Sequence, residues 1–163
     1  MENKRNLTHL GKHGRAKMVD VSEKKITVRE AVAKGLIKME KETLDLIKTS
    51  GVKKGDVLAV AQVAGIMGAK KTCDIIPMCH PIQITGVDID FKIDEKNSSI
   101  EILATTKTMD RTGIEMEALT AVAIAALTIY DMCKSVDKTM EIKEIKLVKK
   151  SGGRSGTFVR TDG

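Results

Sequence analysis

The sequence predicts an α+β fold with helices laid on an antiparallel sheet. Three observations carry this prediction. Residues 84–93 alternate, with Val87, Ile89, Phe91 and Ile93 on one side, as a half-buried strand does. The turn run Asp94-Glu95-Lys96-Asn97-Ser98 follows, and Ile100, Ile102 and Ala104 begin a returning strand, so the two pair as a hairpin. Helical stretches lie on either side of it, giving a core order of helix, strand, strand, helix, strand.

Taken in order, residues from Met1 to about Lys17 are polar, contain Gly11 and Gly14 with His9 and His13, and read as a mobile arm. Residues 18–163 read as a single domain, without an internal repeat or dividing linker. Val19 to Val21 and Ile26 to about Met39 contain strand-like stretches, with Ala31 to Lys34 ambiguous. Glu40 to Thr49 has helical spacing at Leu44, Ile47 and Lys48, and Gly51 is a plausible stop. Gly55-Asp56 opens a second helical stretch, in which Val57, Val60, Ala61, Ala64 and Met67 recur at helical spacing. It reaches about Ile75, with a break expected at Gly65 or Gly68. After the hairpin, Thr112-Gly113 leads into a long helix from about Glu115 to Val136. A last strand runs from Ile142 to Val148 with imperfect alternation, and a glycine-serine segment and short tail follow.

A chain of 163 residues supports one sizeable core, which must be aliphatic because Phe91, Phe158 and Tyr130 are the only aromatics. The formal net charge of +6 favours an anionic partner. Readers of single-stranded nucleic acid stack bases on aromatics, so a small phosphorylated ligand is the better match. Cys73, Cys79 and Cys133 lack C-x-x-C spacing and read as reduced thiols of a cytoplasmic protein. No apolar signal region opens the chain. The apolar stretch Ala118–Cys133 is interrupted by Thr120, Thr128 and Asp131 and falls short of the roughly 18 residues of a membrane span.

Several segments carry candidate chemistry. Ile75-Ile76-Pro77-Met78-Cys79-His80-Pro81 contains both prolines of the chain, so Met78, Cys79 and His80 are caught in a stiff, non-helical turn. His80 is either aimed at a ligand or packs against a neighbouring element. Cys79 reads as a small packed residue rather than a nucleophile. Asp131 and Lys134 share one helix face at i, i+3 and supply either a base and a cation or a surface ion pair. Glu115 and Glu117 suit the positive end of a helix, and with Met116 they stand beside Gly113 at a loop-to-helix junction. Lys53-Lys54 precede a helix start, where anions are favoured. Lys149-Lys150-Ser151-Gly152-Gly153-Arg154-Ser155-Gly156 combines glycines with donors and cations, as a phosphate-binding loop does, although it is no Walker A sequence.

Seven segments occur in order: Met18-Val-Asp-Val-Ser22, Thr27-Val-Arg29-Glu30, Lys54-Gly-Asp56, Ile76-Pro-Met-Cys-His80-Pro81, Gly113-Ile-Glu-Met-Glu-Ala-Leu-Thr120, Ala125-Ala-Leu-Thr-Ile-Tyr-Asp-Met-Cys-Lys134 and Lys150-Ser-Gly-Gly153. Together they strongly resemble the cyclic pyranopterin monophosphate synthase family of molybdenum cofactor biosynthesis (the MoaC family), over roughly Ala16 to Gly156. Arg154 stands where the family would also be expected to carry Lys. The resemblance implies a ferredoxin-like antiparallel sheet with helices packed on one face. It implies a lyase of the phosphorus–oxygen type that converts 3′,8-cyclo-7,8-dihydroguanosine triphosphate to cyclic pyranopterin monophosphate and diphosphate. It implies a homohexamer, a trimer of dimers. By matching motif positions, it implies Asp131 as the acid/base residue, joined by Lys54, Lys134, His80 and Arg29. Met78, Cys79, His80, Met116 and Glu117 would line the substrate pocket beside Glu115, and Lys150 would meet phosphate. The expected cofactor set is empty, magnesium riding on the triphosphate aside, and neither nucleic acid nor membrane is an expected partner. The competing readings are a small basic RNA-binding module and a non-catalytic nucleotide-binding assembly protein.

Helix geometry adds an inference. Glu117 and Asp131 are 14 residues apart. At ~1.5 Å and ~100° per residue they share a helix side but lie about 21 Å apart. One compact substrate touching both therefore points to two subunits, and the alanine-rich helix between them could let backbones approach at such an interface.

Overall fold

The computed structural model describes residues 14–49 and 55–161. The elements run β1 (Thr27–Lys38), α1 (Lys41–Lys48), α2 (Val57–Lys70), α3 (Thr72–Ile75), β2 (Ile84–Asp94), β3 (Ser99–Asp110), α4 (Glu115–Cys133), β4 (Glu141–Ser151) and β5 (Phe158–Val159). The sheet order is β2-β3-β1-β4-β5, with every pairing antiparallel. With α1–α3 filling the first crossover and α4 the second, this is the βαββαβ plan of a ferredoxin-like α+β fold. The expected hairpin is β2–β3, with Ile89 opposite Ala104 and Phe91 opposite Ile102.

The core lies between one sheet face and the pair α2–α4. Ala31, Ala33 and Ile37 of β1 and Ile100, Ile102 and Ala104 of β3 are buried on that face. The other face carries charged ladders, such as Lys107 and Lys149 flanking Glu30 at 3.5 and 3.2 Å. The core order read from the sequence left out β1, yet β1 is the central strand. Its inward positions are small because α4 lies directly on them: a Cβ on Gly35 would come within 2.6 Å of Val122 Cγ1. Small residues bury little apolar area, so the strand's hydrophobic signal is weak although its burial is complete.

Other boundaries also move. No strand forms at residues 19–21. The ambiguous stretch from Ala31 to Lys34 is mid-strand. Thr49 ends α1, its backbone N–H bonding Asp45 O at 3.1 Å, while the proposed stop at Gly51 lies outside the described residues. Asp56 caps α2 as expected, accepting a hydrogen bond from Ala59 N at 3.0 Å. The helix breaks at Lys71 rather than at either glycine. Gly65 and Gly68 are buried contact points with α4 instead. A Cβ on Gly65 would meet Ala121 O at 2.9 Å, and one on Gly68 would meet Ile124 Cγ1 at 2.8 Å. Within the chain, the alanine-rich helix makes such a close approach through Ala121 and Ala125 against α2. It also rotates α2, leaving Val60 and Met67 of the expected core stripe exposed.

α4 ends at Cys133, followed by a turn in which Val136 N and Asp137 N bond Cys133 O at 2.9 and 3.1 Å. By length and composition α4 could cross a membrane, contrary to the sequence reading. Ala118, Val122, Ala126 and Ile129 are nevertheless fully buried against the sheet and α2, as in a core helix. β4 is longer than expected, and two register shifts against β1 explain its imperfect alternation.

Candidate active site

The loop-to-helix junction at the start of α4 meets the proline-bounded turn in a pocket of about 130 Å3. Met78, Cys79, His80, Thr112, Gly113, Glu115, Met116 and Glu117 line it. Local chemistry fixes both walls. Ile114, 1% exposed, anchors the start of α4, and its carbonyl accepts from Thr106 Oγ1 of β3 at 3.2 Å. On the other wall, Cys79 N bonds Ile76 O at 3.1 Å, and Thr108 Oγ1 bonds Gln83 O at 2.6 Å just past Pro81. His80 Nε2 lies 2.7 Å from Val19 O. A carbonyl only accepts, so this nitrogen carries the proton. The Met18–Ser22 segment is thereby tied to the pocket, a link that no spacing in the sequence reveals.

The six pocket residues named from the sequence thus come together around Thr112 and Gly113. Glu117 is the unusual one. Its carboxyl is pushed up to about 7, mainly by burial, with the negative charge of Glu115 adding and a backbone N–H opposing. The helix N-terminus favours a carboxylate by roughly 1 kcal/mol, and desolvation outweighs it. A carboxyl that titrates near neutrality can either give or take a proton. Burial, then the charge of Glu117, pushes the Cys79 thiol up, which suits a packed residue rather than a nucleophile. Gly113 lies directly under the Glu115 carboxylate, so a Cβ there would displace that side chain.

A cationic cleft of about 390 Å3 continues from this pocket, sharing Thr112, Gly113 and Glu115 and adding Lys24, Arg29, Arg111, Arg154 and Ser155. A further cleft of about 350 Å3 adjoins it through Lys24, Arg29 and Arg154. Thr27, which lines this last cleft, has a buried Oγ1 without a hydrogen-bond partner among the described residues. Lys150, near the end of β4, bonds Ser155 Oγ of the glycine-serine turn. The sequence reading named Arg29, Lys150 and Arg154 here and missed Lys24 and Arg111. Their only signal was position beside the first strand and the α4 junction.

Two predicted residues lie elsewhere. Asp131 Oδ1 and Lys134 Nζ pair at 2.8 Å at the far end of α4, both more than half exposed. Their hydrogen bond holds the Lys134 ammonium above its usual range. Glu117 and Asp131 do lie in one unbroken helix, so the ~21 Å separation stands. Lys54 lies outside the described residues. Among the described residues, no group of three His, Cys, Asp or Glu is arranged to hold a metal ion.

Fold and clefts together define a ferredoxin-like α+β protein with a run of adjoining clefts that is acidic at one end and cationic at the other. The chain belongs to the MoaC family, which residues 18–153 match. It is 65% identical over 153 residues to the cyclic pyranopterin monophosphate synthase of Clostridium acetobutylicum, covering 94% of this chain and 95% of that protein. It is 65% identical over 155 residues to that of Thermoanaerobacter pseudethanolicus (95% and 98% covered). Its identity to that of Heliobacterium modesticaldum is 54% over 156 residues (96% and 98% covered).

Proposed function

We propose that this chain is a cyclic pyranopterin monophosphate synthase. It converts 3′,8-cyclo-7,8-dihydroguanosine 5′-triphosphate to cyclic pyranopterin monophosphate and diphosphate, as a phosphorus–oxygen lyase in the cytoplasm. The observation that carries this reading is the continuity of the clefts. An acidic, thioether-lined pocket opens through Thr112 and Gly113 into a cleft faced by lysine and arginine. That polarity matches a ligand with a heterocycle at one end and a triphosphate at the other.

In this reading Met78, Cys79, His80, Met116, Glu115 and Glu117 hold the heterocycle. Glu117 shares a proton with it at neutral pH. The cationic cleft and Lys150 hold the triphosphate and stabilise the departing diphosphate. Asp131 acts as acid/base with Lys134 and Lys54 beside it. A second copy of the chain supplies these to each pocket, within a homohexamer built as a trimer of dimers. Rearrangement with elimination requires no redox cofactor, and any magnesium arrives on the substrate.

The reading is tested by incubating the protein with the cyclic dihydronucleotide and assaying pterin product and diphosphate. Asp131→Asn should lower product formation by at least ~100-fold with the fold intact. Near-normal turnover would remove Asp131 from the reaction. Mixing Glu117→Ala with Asp131→Asn under subunit exchange should restore roughly a quarter of normal activity, if sites are independent and pairing is random. Exchange without recovered activity would refute the shared site.

A further inference from the structure

The Arg29 side chain sits where three loops meet, and its donors point at backbone. Nε bonds Asp110 O at 2.9 Å, and Nη2 bonds Arg111 O at 2.8 Å. The glycine turn passes close against the same residue. A Cβ on Gly153 would collide with Nη1 and come within 2.8 Å of Cζ, and one on Gly152 would reach within 3.3 Å of Arg29 Cα. Gly152 and Gly153 have positive φ, +90° and +72° respectively, which favours glycine independently of the space. The third loop is attached through Arg111, whose Nε bonds Lys24 O at 3.2 Å.

We propose that Arg29 is a positioning residue, a guanidinium staple that joins residues 110–111, the glycine turn and, through Arg111, the loop at Lys24 into one anion-binding wall. Beside Lys150, the cations that meet the ligand's phosphates are then Lys24, Arg111 and Arg154, each carried on one of the three stapled segments. Thr27 Oγ1, two residues before the staple and without a partner among the described residues, lies in the same wall and has a proton to donate. The planar fork explains the residue type. One guanidinium reaches two successive carbonyls in a fixed geometry while lying close against a glycine, which a lysine ammonium cannot do. Arg29 keeps donors to spare, but its main effect is exerted through the loops. The assignment of the anion as phosphate rests on the function proposed above, whereas the staple itself rests only on the backbone contacts.

The test uses the full chain and inorganic diphosphate. Arg29→Lys retains the charge and loses the fork. Diphosphate affinity measured by calorimetry should fall about tenfold or more. Amide hydrogen exchange should accelerate in 110–113 and 151–156 together, and KM should rise by a larger factor than kcat falls. Gly153→Ala leaves Arg29 present but drives a Cβ into its guanidinium, and should give the same signature. It carries the test if Arg29→Lys does not fold. The double variant should lose less than the product of the two single losses, because both damage one contact. Diphosphate affinity within about twofold of wild type in Arg29→Lys, or unchanged exchange in both segments, would overturn the staple. A wild-type chain that neither binds diphosphate nor turns over the nucleotide would instead overturn the functional reading, and the exchange data would still decide the staple.

Discussion

Two buried carboxylates bracket α4, and they are held in opposite ways. Glu117, in the first turn, is 4% exposed, and Asp137, just past the last turn, is 5% exposed. Asp137 has four donors. Oδ2 accepts from Glu40 N at 2.9 Å and Thr43 Oγ1 at 3.3 Å, and Oδ1 accepts from Thr139 N at 2.8 Å and Thr139 Oγ1 at 2.7 Å. Burial raises its pKa, but these bonds together win, and the carboxyl is held below its usual range. Glu117 has only a backbone N–H to set against burial and Glu115, and it is pushed up to about 7. Similar surface exposure therefore leaves an anion at one end of the helix and a titrating group at the other. The difference lies both in how deeply each carboxyl is withdrawn from water, Glu117 the more so, and in the donors supplied. Asp137 ties the entrance of α1 to the turn after α4, which is a structural task. Glu117 lines a pocket, where its carboxyl has one backbone N–H to set against burial and stays close to its titration point at neutral pH.

The largest expected effect separates activity from stability. Glu117→Gln removes the titrating proton and should cut product formation by roughly 100-fold. The same change should stabilise the fold at high pH. A folded pKa raised from 4.5 to about 7 means that the native state binds more protons across that window. Wild-type stability therefore declines as pH rises from about 4.5 to about 7, by up to about 3 kcal/mol. Urea unfolding should find the variant more stable than wild type at pH 8 and equal to it at pH 4. Equal stability at both would mean that the Glu117 carboxylate is compensated like that of Asp137, and the contrast would be lost.

The opposite sign is expected at Asp137. Asp137→Asn keeps the shape but presents an NH2 to groups that are themselves donors. It should destabilise the fold by about 2 kcal/mol at pH 7. Because the folded pKa is depressed, the stability that the carboxylate contributes is present above its unfolded value and is lost as pH falls through its folded value. The deficit of the variant should therefore shrink on acidification. A deficit constant from pH 7 to pH 3 would assign the effect to packing.

What the sequence disclosed follows the same division. The β2–β3 hairpin and the long helix were legible because each rests on local chemistry, alternation and helical spacing; residues 78–80 and 115–117 stood out locally through a proline pair and acids at a helix start, but their place in one pocket came from the family resemblance. β1 escaped as the central strand because Ala31, Ala33 and Gly35 are small for a reason that lies in another element, the overlying α4. Gly65 and Gly68 suggested a break for the same reason, since a glycine that admits a neighbouring backbone looks in sequence like one that ends a helix. Arg29 was legible as a cation, but its two carbonyl partners lie 81 and 82 residues away. Asp137 was passed over entirely. Its four bonds come from three separate residues, none of which signals it in sequence.

The smallest expected effect tests whether donor count governs the contrast. Of the four bonds to Asp137, that from Thr43 is the longest, at 3.3 Å. Thr43 is 3% exposed, and Thr43→Val replaces its hydroxyl by a methyl of similar size, so little packing changes. Asp137 would keep three donors and move one step towards the condition of Glu117. The expected loss at pH 7 is below about 1 kcal/mol, because a neutral hydroxyl at this distance contributes near the low end for a hydrogen bond to a charge. The pH dependence carries more information than the size. With one donor fewer, the folded pKa of Asp137 is less depressed, so acid unfolding should begin at a higher pH than in wild type. Once Asp137 is protonated in both proteins, the difference due to its charge should vanish. Urea unfolding at pH 7 and at a series of pH values descending to about 2, through the depressed range of Asp137, would measure both. A loss of equal size across that series would mean that Thr43 acts through packing alone, and the remaining three donors would then account for the depressed carboxylate by themselves.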